Sequence, residues 1–254
     1  MPVTEYLLEK MQFTIYITGV ATVISIPIGI LLGVLSATIK NKFGNIVLQV
    51  VFFGLGSVPV FVWAYFLQYW LCWKLGIFPY LFPSGYDFLS PGMIKAAICP
   101  ILALSFNPIA SYMYLLRNSV LESMTQDYVL LLKVKGLSQK QIIRKHVFRN
   151  AIITLFPEIY ANLIFVSTSS FLIERIFAIP GASYTFIRSF FAADRDRHSE
   201  YLRTGYLGVT PDYAVFMILA MFYVAIAIIG GILLDITYGL VDPRIRVSTN
   251  KMGE

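Results

Sequence analysis

Charge is scarce in this chain. Asp, Glu, Lys and Arg make up 13% of its 254 residues and apolar side chains 57%, whereas a soluble domain is roughly a quarter charged. With a mean hydropathy of +0.72, a water-soluble globule is excluded and a lipid bilayer is the implied solvent. Histidine is scarcer still. His146 and His198 are the only ones, so no HExxH pair or histidine cluster forms, and an intramembrane zinc protease has no ligand set. No G-x-x-x-x-G-K-[ST] loop is present, so any ATP that drives this protein is hydrolysed by another chain. No catalytic residues, metal site or cofactor are expected, and nothing points to nucleic acid. Cysteine is limited to Cys72 and Cys99. They fall near the same ends of two consecutive apolar stretches, which leaves a disulfide open beside the preferred reading of two small apolar fillers.

What is present in abundance is long apolar sequence. A helix needs roughly 20 apolar residues to cross about 30 Å of hydrocarbon. Five windows qualify, at about residues 12–37, 46–73, 96–116, 151–173 and 213–234. The first is too long for a signal peptide and has no basic flank before it. Orientation follows from basic residues, which are retained in the cytoplasm. Arg117, Lys133, Lys135, Lys140, Arg144, Lys145 and Arg149 place residues 117–150 inside. Lys40, Lys42 and the tail 236–254 with Arg244, Arg246 and Lys251 fall on the same side by alternation. The N-terminal segment 1–11 and the loop 174–212 are then expected outside, and the two histidines lie on opposite sides. Within that outer loop, the stretch "DRDRHSEYLRTGYLGVT" either meets a partner or simply extends a solvated loop.

The basic loop has internal order. "DYVLLLKVKG" reads as a short surface helix that Gly136 stops by adopting a left-handed conformation, and Ser138 caps the next helix, "QKQIIRKHVF". A helix–turn–helix at this place either lies against anionic headgroups or docks on a partner, and both use the same cations. Inside the spans, Glu158 stands about two helical turns into the fourth. It is either a proton-coupling carboxylate or a helix-contact or pathway-lining group. Asn107, Asn162 and Gln68 are explained by interhelical hydrogen bonds.

Residue order adds a further element. "DYVLLLKVKGLSQKQIIRKHVFRNAI" resembles the cytoplasmic loop of ABC importer permeases, with its "KGLS" and "H-x-x-RNA" elements. "TIYITGVATVISIPIGILLGVLSA", "SVPVFVWAYFLQYWLCWKLGIFP", "ERIFAIPGAS" and the terminal "LLDITYGLVDPRIR" resemble, in order, further segments of the oligopeptide, dipeptide and nickel permeases, B-type subunit. The resemblance implies an all-α polytopic membrane protein with a type I ABC importer transmembrane domain over about residues 12–235. About five transmembrane helices are expected, without the family's first. It implies a coupling role toward the ATPase for Asp127, Tyr128, Val129, Lys133, Lys135, Gly136, Leu137 and Ser138. It also implies an outer loop at the pathway mouth built on Glu174, Phe177, Pro180 and Gly181. The chain departs from the family pattern at Leu132 and Val134, where alanines are usual, at Thr154, where proline is usual, and at Ser183, where glycine is usual. The partners implied are a second homologous permease, two ATP-binding subunits and an extracellular substrate-binding protein, in a bacterial or archaeal cell membrane. The expected function is thus half of an ATP-driven import pathway for peptides, or for nickel or other metal complexes. An ion-coupled secondary transporter is the alternative, although the chain lacks the internal repeat such proteins often show.

Overall fold

The computed structural model describes residues 3–83, 87–183, 185–186 and 213–241. Every regular element among them is helical. In chain order these are α1 (Val3–Thr38), α2 (Lys42–Ser57), α3 (Val60–Leu67) continuing into a π-helical turn Gln68–Lys74, and α4 (Pro91–Met124). Then come α5 (Asp127–Val134), α6 (Gln139–Ile142) with a π-helical turn Ile143–Val147, α7 (Phe148–Ala151), a 3₁₀ turn Ile152–Thr154, α8 (Leu155–Ile176) and α9 (Tyr213–Val241). Four of the helical stretches are long and apolar enough to cross a membrane, and the bent pair formed by α2 and α3 with its continuation makes five.

That pair differs from the single span expected at residues 46–73. Val58 is extended, with φ −83° and ψ 129°, because the ring of Pro59 excludes the helical conformation from the residue before it. A second irregularity, the 3₁₀ turn before α8, has a similar cause. Pro157 has no N–H for the Ile153 carbonyl and its ring crowds that group; the Leu155 N–H turns to the Ile152 and Ile153 carbonyls, and Thr154 Oγ1 donates to the Ala151 carbonyl at 2.7 Å.

The chain divides into two compact units, Met1–Val20, Val60–Leu104 and Phe165–Ile228 in one, Ala21–Pro59, Ser105–Ile164 and Ile229–Glu254 in the other. In the first, Phe13 of α1 is buried and meets Phe82 and Phe88 edge-on at 6.1 and 5.2 Å between ring centres. Gln68, in the π-helical turn, donates from Nε2 to the Ile176 carbonyl at 2.8 Å and to the Tyr80 carbonyl at 3.2 Å. It thereby satisfies a carbonyl that the end of α8 leaves unpaired. Cys72 and Cys99 are buried free thiols, Sγ to Sγ 3.7 Å. Tyr65, Tyr69, Trp70 and Trp73 stand exposed along α3 and its continuation, the amphipathic ring type that concentrates at membrane–water boundaries.

In the second unit, Gly29 and Gly33 of α1 lie on α4. A Cβ at Gly29 would stand 2.5 Å from the Tyr112 Cβ, and one at Gly33 would stand 3.0 Å from the Leu116 Cβ. Two small residues four apart let helix backbones approach where no hydrophobic force distinguishes protein from lipid. Below them, Tyr112, Leu116 and Val120 of α4 form one buried cluster with Val129, Ile142, Val147, Ala151 and Leu155. The basic loop is therefore anchored on a core of its own.

Candidate functional site

The loop between α4 and α8 is built by two reciprocal helix caps set back to back. α5 opens with Asp127 and closes with Lys133 in its last turn, each at the end of the helix dipole that favours its charge. Gly136 has φ +80°. Its N–H donates to the Lys133 carbonyl at 2.9 Å, and the Leu137 N–H donates to the Leu132 carbonyl at 3.2 Å. These are the two bonds of a Schellman C-cap, which needs a left-handed residue at this position. One residue later α6 starts. Ser138 N donates to Gln141 Oε1 at 3.0 Å, and Gln141 N donates to Ser138 Oγ at 3.4 Å, a complete capping box. Leu137, between the two caps, packs on the same cluster as Leu132 and Ile142. A Cβ at Gly136 would meet nothing within 4 Å. Glycine is held there by its dihedral angle alone.

The burial pattern sorts the residues of α5 into two faces. Val129 is 1% exposed and Tyr128 and Leu132 are half-buried against the core, so Val129 seats the helix from behind. Asn150 Nδ2 donates to the Tyr128 hydroxyl at 3.4 Å, tying α5 to α7. The outward face carries Leu130, Leu131 and Val134, exposed by 63, 64 and 80%, with Lys133 and Lys135 beside them. Sequence reasoning noted Val134 as a departure from the family pattern but did not foresee that these three apolar residues face outward together. The signal was a "LLLKV" run that is apolar around the helix, a pattern normally reserved for helices covered on every side.

Glu174, Phe177, Pro180 and Gly181 come together at the end of α8. Glu174 is fully buried and Thr14 of α1 donates to its Oε1 at 2.7 Å. The same Thr14 hydroxyl accepts from the Ala182 N–H at 2.8 Å. Ser170 Oγ lies 3.3 Å from Glu174 Oε1 and 2.7 Å from Ser183 Oγ, which in turn meets the Tyr223 hydroxyl. Ser183 stands where glycine is usual and uses its hydroxyl in this network. A Cβ on Gly181 would fall on the Glu174 carboxyl group. Here glycine is required by close approach, not by φ. The chain turns out of α8 through Ala178 at φ 55°, with Ile179 N donating to the Glu174 carbonyl at 2.7 Å and Phe82 N to the Phe177 carbonyl at 2.9 Å. A left-handed alanine costs about 1–2 kcal/mol, held in place by the buried Phe177 and Ile179 on either side.

Glu158 is half-buried on α8. It accepts at Oε1 from Ser111 Oγ of α4 and from Asn162 Nδ2, the latter at 2.8 Å. Asn107 is not gathered into this group, its side-chain oxygen facing Gly56 of α2 instead. No group of three or more metal-ligating side chains occurs among the described residues. The insertion 194–210 and the tail from residue 242 lie outside the described residues.

Residues 29–247 match the family model described as the binding-protein-dependent transport system inner membrane component. The chain belongs to that family. It is a multi-pass ABC importer permease of the peptide branch, and its transport relatives are permease subunits, not enzymes. The dipeptide transport system permease protein DppB of Lactococcus lactis is 30% identical over 97% of this chain and 73% of its own length. That of Bacillus subtilis is 34% identical over 89% of this chain and 65% of its own length. A putative peptide transport system permease of Brucella abortus is 32% identical over 96% and 72%. Among solved structures, the MetNI methionine ABC transporter in an inward-facing conformation aligns with a TM-score of 0.66 at 16% identity. The alignment covers 95% of this permease and 98% of that chain. An amino acid ABC transporter crystallised with histidines aligns at 0.63 and 14% identity, covering 92 and 93%. The type I importer fold is shared across these proteins.

Proposed function

We propose that this permease forms half of the translocation pathway of an ATP-driven peptide importer. A second homologous permease completes the pathway, two ATP-binding subunits drive it, and an extracellular binding protein delivers substrate. Within it, α5 is the coupling element. The observation that carries this assignment is the outward trio Leu130, Leu131 and Val134, flanked by Lys133 and Lys135, on a helix fixed from behind by Val129 and from its end by Gly136. A helix that merely floated on headgroups would have no use for a complete C-cap and capping box joined by a single residue. The polarity of the loop supports a cytoplasmic position for residues 117–150, an outer position for the N-terminus and for the loop after α8, and residence in the cell membrane. The Glu174–Gly181 knot, which joins α1 to the turn after α8, is then the rigid outer rim against which the binding protein docks. Peptides are the assigned cargo, by similarity to the dipeptide permeases. Nickel or other metal chelates are the alternative that transport assays distinguish. The decisive assay is uptake into proteoliposomes holding the permeases and ATP-binding chains. Uptake that needs ATP and loaded binding protein is expected. Uptake driven by an imposed ion gradient without ATP contradicts the proposal.

A further inference from the structure

The second unit contains a groove of about 870 Å³ between the C-terminal half of α1 and the α6 segment, within the roughly 300–1,000 Å³ typical of small-ligand sites. Its polarity runs in one direction along α1. Ile30, Leu31 and Val34 give way along the chain to Thr38 and Lys40, and the α6 segment contributes Lys140, Ile143, Arg144 and Phe148 to the same lining. Among the described residues no carboxylate lines it, and Lys40, Lys140 and Arg144 are exposed and form no ion pair.

We infer that this groove binds one anionic phospholipid of the inner leaflet, acyl chain along Ile30, Leu31 and Val34, and headgroup phosphate against Lys40, Lys140 and Arg144. The inference rests on the cytoplasmic placement of the loop in the proposed function. An amphiphile with its charge at one end matches a groove whose polarity changes once along its length. A helix of a partner protein would need to supply carboxylates at that end and nowhere else. Basic pockets beside transmembrane helices on the cytoplasmic side are a recognised headgroup environment, and each cation near an anionic surface contributes about 1 kcal/mol. The two candidate roles of the basic loop, docking on a partner and holding lipid, are thereby separated onto different residues. Leu130, Leu131 and Val134 face the partner, and Lys140 and Arg144 face the lipid. Because Lys140 follows the capping Ser138 by two residues, an occupied groove stiffens the base on which α5 is held.

The test uses the assembled transporter in nanodiscs doped with phosphatidylglycerol carrying a photoactivatable diazirine on its acyl chain, with the matching phosphatidylcholine as comparison. Labelled residues are mapped by mass spectrometry. Labelling of 27–34 and 143–148 by the anionic probe is expected to exceed the zwitterionic probe at least about tenfold. The triple substitution Lys40→Gln, Lys140→Gln, Arg144→Gln is expected to abolish that excess. Leu31→Trp, which fills the apolar end and leaves the charges in place, is expected to lower labelling by both probes. Equal labelling by the two lipids, or an excess that survives the triple substitution, overturns the site. Labelling reads binding without transport. A Gly136→Val variant that loses coupling yet labels normally keeps both assignments, and one that couples normally yet labels normally sinks the coupling assignment alone.

Discussion

Replacing Gly181 by alanine tests how the outer knot is held. The added Cβ falls on the Glu174 carboxyl group, at the far end of a side chain that in open surroundings would swing aside. Here it has nowhere to swing without loss. Glu174 is fully buried, and its Oε1 takes the Thr14 hydroxyl at 2.7 Å while that same oxygen of Thr14 takes the Ala182 N–H at 2.8 Å. Moving the carboxyl group leaves buried polar atoms unpaired, at about 1–3 kcal/mol for each bond lost. A total of about 2–4 kcal/mol corresponds to roughly 5–15 °C in the unfolding midpoint of a chain this size. The assay is the midpoint of heat-induced loss of the monodisperse peak on fluorescence-detected size exclusion in detergent. Glu174→Ala is the partner substitution, because it removes the group with which the new Cβ collides. The double variant is expected to be more stable than the sum of the single effects by at least about 1 kcal/mol. A Gly181→Ala midpoint within about 2 °C of the parent, or strict additivity of the two substitutions, refutes the reasoning.

Two further outcomes follow from the packing of the second unit. Gly29→Val places its side chain against the Tyr112 Cβ and the Ile109 carbonyl oxygen, so α1 is expected to lift from α4 at a cost of about 2–3 kcal/mol. Membrane-extracted protein should then aggregate at temperatures the parent survives, while Gly19→Val, with open space around its Cβ, should not. Glu158→Gln retains an oxygen that still accepts from Ser111 and Asn162, and is expected to cost under about 1 kcal/mol and to leave ATP-driven uptake intact. Loss of uptake in that variant, measured with a labelled peptide, assigns Glu158 a protonation role that its contacts do not predict.

The parts of this molecule legible in sequence are those encoded over short distances. Gly136, Ser138 and Gln141 sit within six residues of one another, and their identities specify the left-handed cap and the capping box without reference to the rest of the fold. Asn162 was expected to bond between helices and instead donates to Glu158 one turn earlier on the same helix, a partner that the spacing of four already offered. The break at Val58–Pro59 was written in the proline, but a hydropathy window sums apolarity and is blind to direction, so two helices read as one span. The contacts that cross the chain carried no signal. Thr14 and Glu174 are 160 residues apart, and nothing about a threonine near the start of an apolar run marks it as the holder of a distant carboxyl group. The outward position of Leu130 and Val134 was illegible for a different reason. An apolar residue in a basic loop looks like core, and its outward position has meaning only with a partner chain.

The central claim is that α5 transmits force by shape, through a backbone fixed at Gly136. Gly136→Val changes no charge and meets no neighbour, yet a β-branched residue is strongly disfavoured at φ +80°. The Schellman cap is then lost and α5 reorients relative to α6. Lys145→Gln, on an exposed side chain outside both caps and outside the groove, removes a positive charge and leaves the backbone alone. With each variant reconstituted beside its partner subunits in neutral lipid, the measurement is the stimulation of ATP hydrolysis by loaded binding protein. The account predicts that Gly136→Val remains in the membrane and loses that stimulation, whereas Lys145→Gln keeps it. Stimulation that survives Gly136→Val, or falls equally in both variants, contradicts it.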